Sequence, residues 1–187
     1  MALLLEAPPL PVSTLGMVAR WKPVHLGHAA VLRAMCENAA RVIIGIGSSN
    51  KYNASNPFTV AETAEMIHLV LDAYSNYQLF EVPDLGNGPR WQAMVRDAFG
   101  DLDLYLTAND WVANLLAPHW DVLHPVHIVP IDQRIPLTGT MVREAIARGE
   151  EWQDMVPPQI AHYLDKNGLI QRFREEFGLA VLADSNL

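Results

Sequence analysis

Apolar and polar positions follow two periods along this chain, and the switches between them mark out its elements. "TLGMVA" (14–19) and "RVIIGIG" (41–47) are short, nearly continuous apolar runs, the pattern of strands buried on both faces of a parallel sheet. Between them, residues 27–40 predict a helix with Val31, Leu32, Met35 and Ala39 on one face. A second helix opens at Thr59, which is spaced for a capping box with Glu62, and turns Met66, Ile67, Val70 and Leu71 inward. "YQLFEVP" (77–83) predicts a third strand and "LDLYLT" (102–107) a fourth; residues 90–99 form a helix between them, with Trp91, Met94, Val95 and Ala98 on one stripe. A short helix over 111–116, a strand over 126–131 and a helix in "TGTMVREAIARG" closed by Gly149 complete the pattern.

This alternation predicts an α/β fold, a Rossmann-like doubly wound parallel sheet in a single domain, with ligands outside the carboxyl ends of the strands. The domain spans 14–165, after an extended N-terminal arm (1–13) and before a C-terminal tail (166–187) of one or two helices and a frayed end. The arm is apolar, but it carries no basic leader and prolines interrupt its leucines, so it does not read as a signal peptide.

Composition narrows the partners. Half of the 187 residues are hydrophobic, enough for one core that buries roughly 70% of the unfolded surface. A formal net charge of -8 argues against a sequence-independent grip on nucleic acid, which needs a broad basic face. No apolar run approaches the roughly 20 residues that span a bilayer, so no membrane partner is expected. The lone cysteine, Cys36, closes no intrachain disulfide, and a cytoplasmic setting fits. A homo-oligomer is compatible with all of this.

The chemistry concentrates in "ARWKPVHLGH" (19–28), the connection from the first strand to the first helix. A helix N-terminus there offers backbone N–H groups and a positive dipole end to an anion. Gly27 admits close approach, His25 and His28 can donate hydrogen bonds, and Arg20 and Lys22 add charge, so the loop suits a polyphosphate. Zinc ranks below phosphate, and the second histidine pair, His124 and His127, would point to opposite faces of an extended segment. A second anion seat is predicted at "PLTGTMVR", where Thr138 or Thr140 caps a helix with Arg143 in its first turn. A cation there opposes the dipole by roughly 0.3 to 1 kcal/mol, a penalty that an anion relieves.

Together "RWKPVHLGH" and "TGTMVR" resemble the H-x-G-H and S-T/G-T-x-x-R signatures of the nucleotidyltransferase superfamily. "IGIGSSNKYNASNPFTVAETAEMI", "VPDLGNGPRW" and "GEEWQDMVP" resemble further segments of its archaeal-type nicotinamide-nucleotide adenylyltransferases, in the right order from Gly16 to Leu164. That resemblance implies AMP transfer from ATP to nicotinamide or nicotinate mononucleotide, with Mg2+ as cofactor. It places His25 and His28 on the ATP phosphates and Arg20, Lys22 and Arg143 against the departing pyrophosphate. It further assigns Gly27, Thr138, Gly139, Thr140 and Asn109 to ATP, and Trp91, Asp84, Ser48 and Asn50 to the acceptor, with no residue as a metal ligand. The chain departs from the pattern with Lys22 for glutamine, Thr63 for arginine, Ala108 for glycine, and Glu144 and Ala145 within an arginine run. Two alternatives stay open: a nucleotidyltransferase acting on another phosphorylated acceptor, and a nucleotide-sensing module without turnover. "REEFG" (174–178) lacks the upstream residues of a Nudix box.

Overall fold

The structure, a computed structural model, describes residues 3–4 and 8–184. Five parallel strands form one sheet in the order β3-β2-β1-β4-β5, in which the chain winds outward from β1 in one direction and then the other. They are β1 (Val12–Ala19), β2 (Ala39–Gly47), β3 (Tyr77–Val82), β4 (Leu104–Leu106) and β5 (Val122–Leu123). The reversal between β1 and β4 leaves a crevice at their carboxyl ends, where such sheets take ligands.

Strand alternation divides the core in two. Val42 and Ile44 of β2, with Leu104 and Leu106 of β4, face a large cluster that includes side chains of α1 (Leu26–Glu37), α2 (Val60–Val70), α5 (Gly139–Arg148), α6 (Pro158–Lys166) and α7 (Leu169–Asp184). Ile43 and Tyr105 face the other way, onto Val95 and Phe99 of α3 (Gly88–Phe99) and Leu116 of α4 (Asp110–Leu116). α2 starts at the expected capping box: the Thr59 hydroxyl accepts the Glu62 N–H, and the Glu62 carboxylate accepts the Thr59 N–H at 2.9 Å.

Three expectations need correction. The fifth strand is Val122–Leu123, not 126–131: Pro125 ends the run, and the His124 ring accepts the Val126 N–H to start a 3-10 turn. The first helix ends at Glu37, where Asn38 turns the chain and Ala39 already belongs to β2. The N-terminal arm contributes to the sheet, since β1 begins at Val12 and the Leu4 N–H donates to the Val122 carbonyl at 2.7 Å. The C-terminal segment is helical as expected, and α7 packs into the core as far as Val181, with Leu169, Ile170 and Phe173 buried. The frayed end foreseen beyond it, 185–187, and residues 1–2 and 5–7 of the arm lie outside the described residues.

Candidate active site

At the carboxyl end of β1 the chain turns sharply through Trp21, whose φ of 56° is left-handed and whose indole N–H donates to the Gly45 carbonyl at 2.9 Å. That anchor sets up the start of α1. His25 is its N-cap, with Nδ1 accepting the His28 N–H at 3.2 Å, and the two imidazoles stack with centroids 3.7 Å apart. His28 lies 3.3 Å through Nδ1 from the Pro23 carbonyl, which can only accept, so the ring carries its proton there. Trp21 meets the same ring edge-on at 4.9 Å.

The second anion seat meets the first across 121 positions of sequence. Thr138 caps α5, its hydroxyl accepting the Met141 N–H at 3.2 Å. Met141 therefore holds the third helical position, and Arg143, expected in the first turn, lies beyond it. Arg143 follows one turn inside, 7% exposed, and donates through Nη1 to the Lys22 carbonyl at 3.0 Å and through Nη2 to Thr140 Oγ1 at 3.1 Å. Gly139 leaves room for this fork: a Cβ there would stand 3.0 Å from Nη1.

These groups line a cavity of about 890 Å3, within the range of small-molecule sites. Arg20, Lys22, His28, Thr138, Gly139, Thr140 and Arg143 contribute to its wall, as do Ser48, Asp84, Trp91 and Asn109. His25, Gly27 and Asn50 do not. His25 is 3% exposed and serves the helix as a cap; Gly27 makes room for the Ile135 carbonyl, which a Cβ would meet at 3.0 Å. Asn50 clamps the backbone of Asp84, donating to its carbonyl at 2.9 Å and accepting its N–H at 2.8 Å. Asn109 both lines the cavity and caps α4, accepting the Val112 N–H at 3.1 Å. Trp91 is half-buried, packed on the second core cluster with part of its surface on the cavity.

Sequence reasoning overlooked Trp111 and Thr107. Trp111 lines the cavity while 58% exposed, 6.4 Å from the Trp91 ring, and Gly88 allows its close packing, since a Cβ there would meet it at 2.8 Å. An aromatic two positions after an Asx cap was the available signal. Thr107, at the end of β4, accepts the Asn109 N–H at 3.1 Å.

The chain is acidic overall, yet among the described residues Arg20, Lys22 and Arg143 outnumber the one carboxylate of the lining, Asp84. Burial, with the nearby Arg20 charge, lowers Arg143 to about 10, still protonated at neutral pH. Lys22 is lowered by the same two causes. Burial drives His28 well below its usual range, followed by the effect of the adjacent His25, and His25 falls to about 4 through burial and Arg143. Both imidazoles are thus neutral at pH 7 in the ligand-free protein. Among the described residues no three His, Cys, Asp or Glu side chains gather to hold a metal ion, and His124 and His127 stand 6.4 Å apart with perpendicular rings. No helix of the described residues is long and apolar enough to cross a membrane.

Residues 18–174 match the cytidylyltransferase-like family. A nicotinamide-nucleotide adenylyltransferase of Pyrococcus furiosus is 31% identical over 163 residues, covering 84% of this chain and 85% of that protein. The chain belongs to the nicotinamide-nucleotide adenylyltransferase family. A family member from Methanosphaerula palustris is also 31% identical, over 86% of this chain and 95% of its own length. The fold agrees: a bifunctional NMN adenylyltransferase/ADP ribose pyrophosphatase from Francisella tularensis, solved with AMP and a manganese ion, superposes with a TM-score of 0.68 at 18% identity. The match covers 87% of this family member and 52% of the Francisella chain, so the present chain spans about half of that protein's length.

Proposed function

We propose that this chain transfers AMP from ATP to nicotinamide mononucleotide, or its nicotinate counterpart, forming a dinucleotide and releasing pyrophosphate. One observation carries the reading: the Arg143 fork binds the β1–α1 turn and the capped start of α5 into a single wall of the cavity that Asp84, in the β3–α3 loop, and Trp91, on α3, also line. Two helix N-termini, two arginines and an imidazole then serve one triphosphate, and the names of the relatives, nicotinamide-nucleotide adenylyltransferases, support the reading.

The step requires no protein nucleophile. An ionised oxygen of the acceptor phosphate bonds to the α-phosphorus as the bond to the β-phosphate breaks, and the electron pair leaves on pyrophosphate. Catalysis is alignment plus stabilisation of charge. A unit charge pair near 4 Å contributes about 4 kcal/mol at an effective dielectric of 20, so Arg143 and Arg20 supply much of it. His28 adds a donor once protonated.

A divalent cation, Mg2+ in our reading, supplies further charge neutralisation on the nucleotide phosphates. The residues present fit an ion that would be held by those phosphates and water, because Asp84 is the only carboxylate in the lining among the described residues. Half-buried Trp91 would take the acceptor ring, and Asn109, the cap of α4, would contact ATP; both line the cavity.

Pyrophosphate release by the purified chain, supplied with ATP and a panel of phosphorylated acceptors, tests the proposal. The expected product is a dinucleotide from a pyridine mononucleotide; pyrophosphate release with other acceptors only, or ATP binding with no release at all, would overturn it.

A further inference from the structure

The three cations of the cavity are not equivalent. Arg20 is exposed, and Arg143 is held toward α5 by its bonds to the Lys22 carbonyl and Thr140. The Lys22 side chain runs the other way. Its Nζ lies 3.4 Å from the Ser48 carbonyl, just past the end of β2. Lys22 is only 2% exposed, and among the described residues it forms no ion pair. A single long bond to a neutral carbonyl is poor compensation for an ammonium removed from water.

Beside Ser48, Lys22 enters a cavity that Asp84, Gly86, Asn87 and Trp91 also line, and the Asp84 carboxylate there repels anions. The reaction proposed above nevertheless brings a mononucleotide there, whose phosphate carries close to two negative charges at neutral pH. This phosphate must approach an ATP that is itself a polyanion.

We propose that Lys22 binds the phosphate of the acceptor mononucleotide and holds it against the α-phosphate of ATP. The inference rests on the adenylyl transfer proposed above. It differs from the role implied by family resemblance, in which Lys22 offsets charge on the departing pyrophosphate. As the acceptor oxygen bonds to the α-phosphorus and pyrophosphate departs with the electron pair, no proton moves, and Lys22 stays an ammonium throughout. Its charge offsets the repulsion of the two anions where they meet. The left-handed turn at Trp21 carries Lys22 from the β1 end to the β2 end, joining the two half-sites.

The test compares wild type with Lys22→Met, Lys22→Gln and Lys22→Arg by steady-state kinetics, and adds nicotinamide riboside, an acceptor analogue that lacks the accepting phosphate, as a competitive inhibitor. Losing a charge-assisted contact should raise the KM for nicotinamide mononucleotide about 10- to 100-fold in Lys22→Met and Lys22→Gln. The KM for ATP and the inhibition constant of the riboside should stay within about twofold of wild type, and Lys22→Arg should recover part of the loss. A raised KM for ATP and weakened pyrophosphate inhibition, with acceptor KM unchanged, would assign Lys22 to the donor and overturn the inference. Equal weakening of riboside and mononucleotide would overturn it too, reducing Lys22 to a prop for Ser48. Should Lys22→Met not fold, Lys22→Gln carries the same loss of charge. A wild-type chain that makes no dinucleotide removes the underlying reading, and the inference with it; normal wild-type turnover with unaltered variants removes the inference alone.

Discussion

His25 should make this protein lose stability in mild acid, and the loss can be isolated. Its Nδ1 must stay unprotonated to accept the His28 N–H, and the ring is buried beside the Arg143 charge, so its folded pKa falls to about 4 against roughly 6.5 when unfolded. A lowered folded pKa means that the unfolded chain binds the proton first. The stabilising contribution is therefore complete above pH 6.5 and is lost as pH falls from there toward about 4. At pH 5 nearly all unfolded chains carry this proton and about a tenth of folded ones do, a difference of about 2 kcal/mol. His25→Asn keeps an oxygen acceptor at the cap but cannot titrate. Urea or thermal unfolding at pH 7.5 and pH 5 should show wild type losing about 2 kcal/mol more than the variant, or roughly 4 to 8 °C in Tm for a chain of this size. Any cost of the substitution common to both pH values cancels. Parallel losses in the two proteins would refute the reasoning, because a ring with an ordinary pKa would be neither buried nor required as an acceptor.

Other expectations follow from the same geometry. His28 is neutral when free and keeps its proton on Nδ1, while a bound phosphate oxygen only accepts, so ATP binding near pH 7 should take up a proton. Calorimetry in buffers of different ionisation enthalpy should show this uptake, and His28→Ala should abolish it. The same variant should unfold at nearly the wild-type temperature yet lose about 100-fold or more in turnover, measured as pyrophosphate release. Arg143→Lys keeps the charge but loses the fork to the Lys22 carbonyl and Thr140, so kcat should fall at least about tenfold in the same assay. Far from the cavity, Arg172 on α7 pairs with Glu62 at 2.5 Å and donates to the Pro57 carbonyl at 3.2 Å. Arg172→Ala should destabilise the fold by about 1 to 3 kcal/mol in urea titration, with the KM for ATP unchanged. Burial raises the Glu62 pKa, but its bonds to Arg172 and Thr59 outweigh that and leave it lowered, so this contribution should fade as pH drops below the ordinary carboxylate range.

Most of the architecture was legible in the linear chain because its signals are local. Four of the five strands announced themselves in the local pattern, two of them as nearly continuous apolar runs, and the Thr59 and Glu62 box marked the start of α2 within three residues. The fifth strand is two residues long and was misplaced, since its only support is pairing with β4 and the distant Leu4, which no local period reveals. The two anion motifs could likewise be recognised, each by its own spacing.

What each residue does within them was decided by packing. Burial made His25 the cap of α1, brought the Arg143 guanidinium to the Lys22 carbonyl 121 positions away, and left Lys22 without an ion-pair partner among the described residues. Trp111 reads in sequence as the start of a short helix and becomes cavity wall only because α3 and α4 meet over Gly88. Sequence sets periodicity and capping, which act over a few residues. Desolvation and proximity between distant segments arise only when the sheet closes, and those two quantities determine which charges face the ligand.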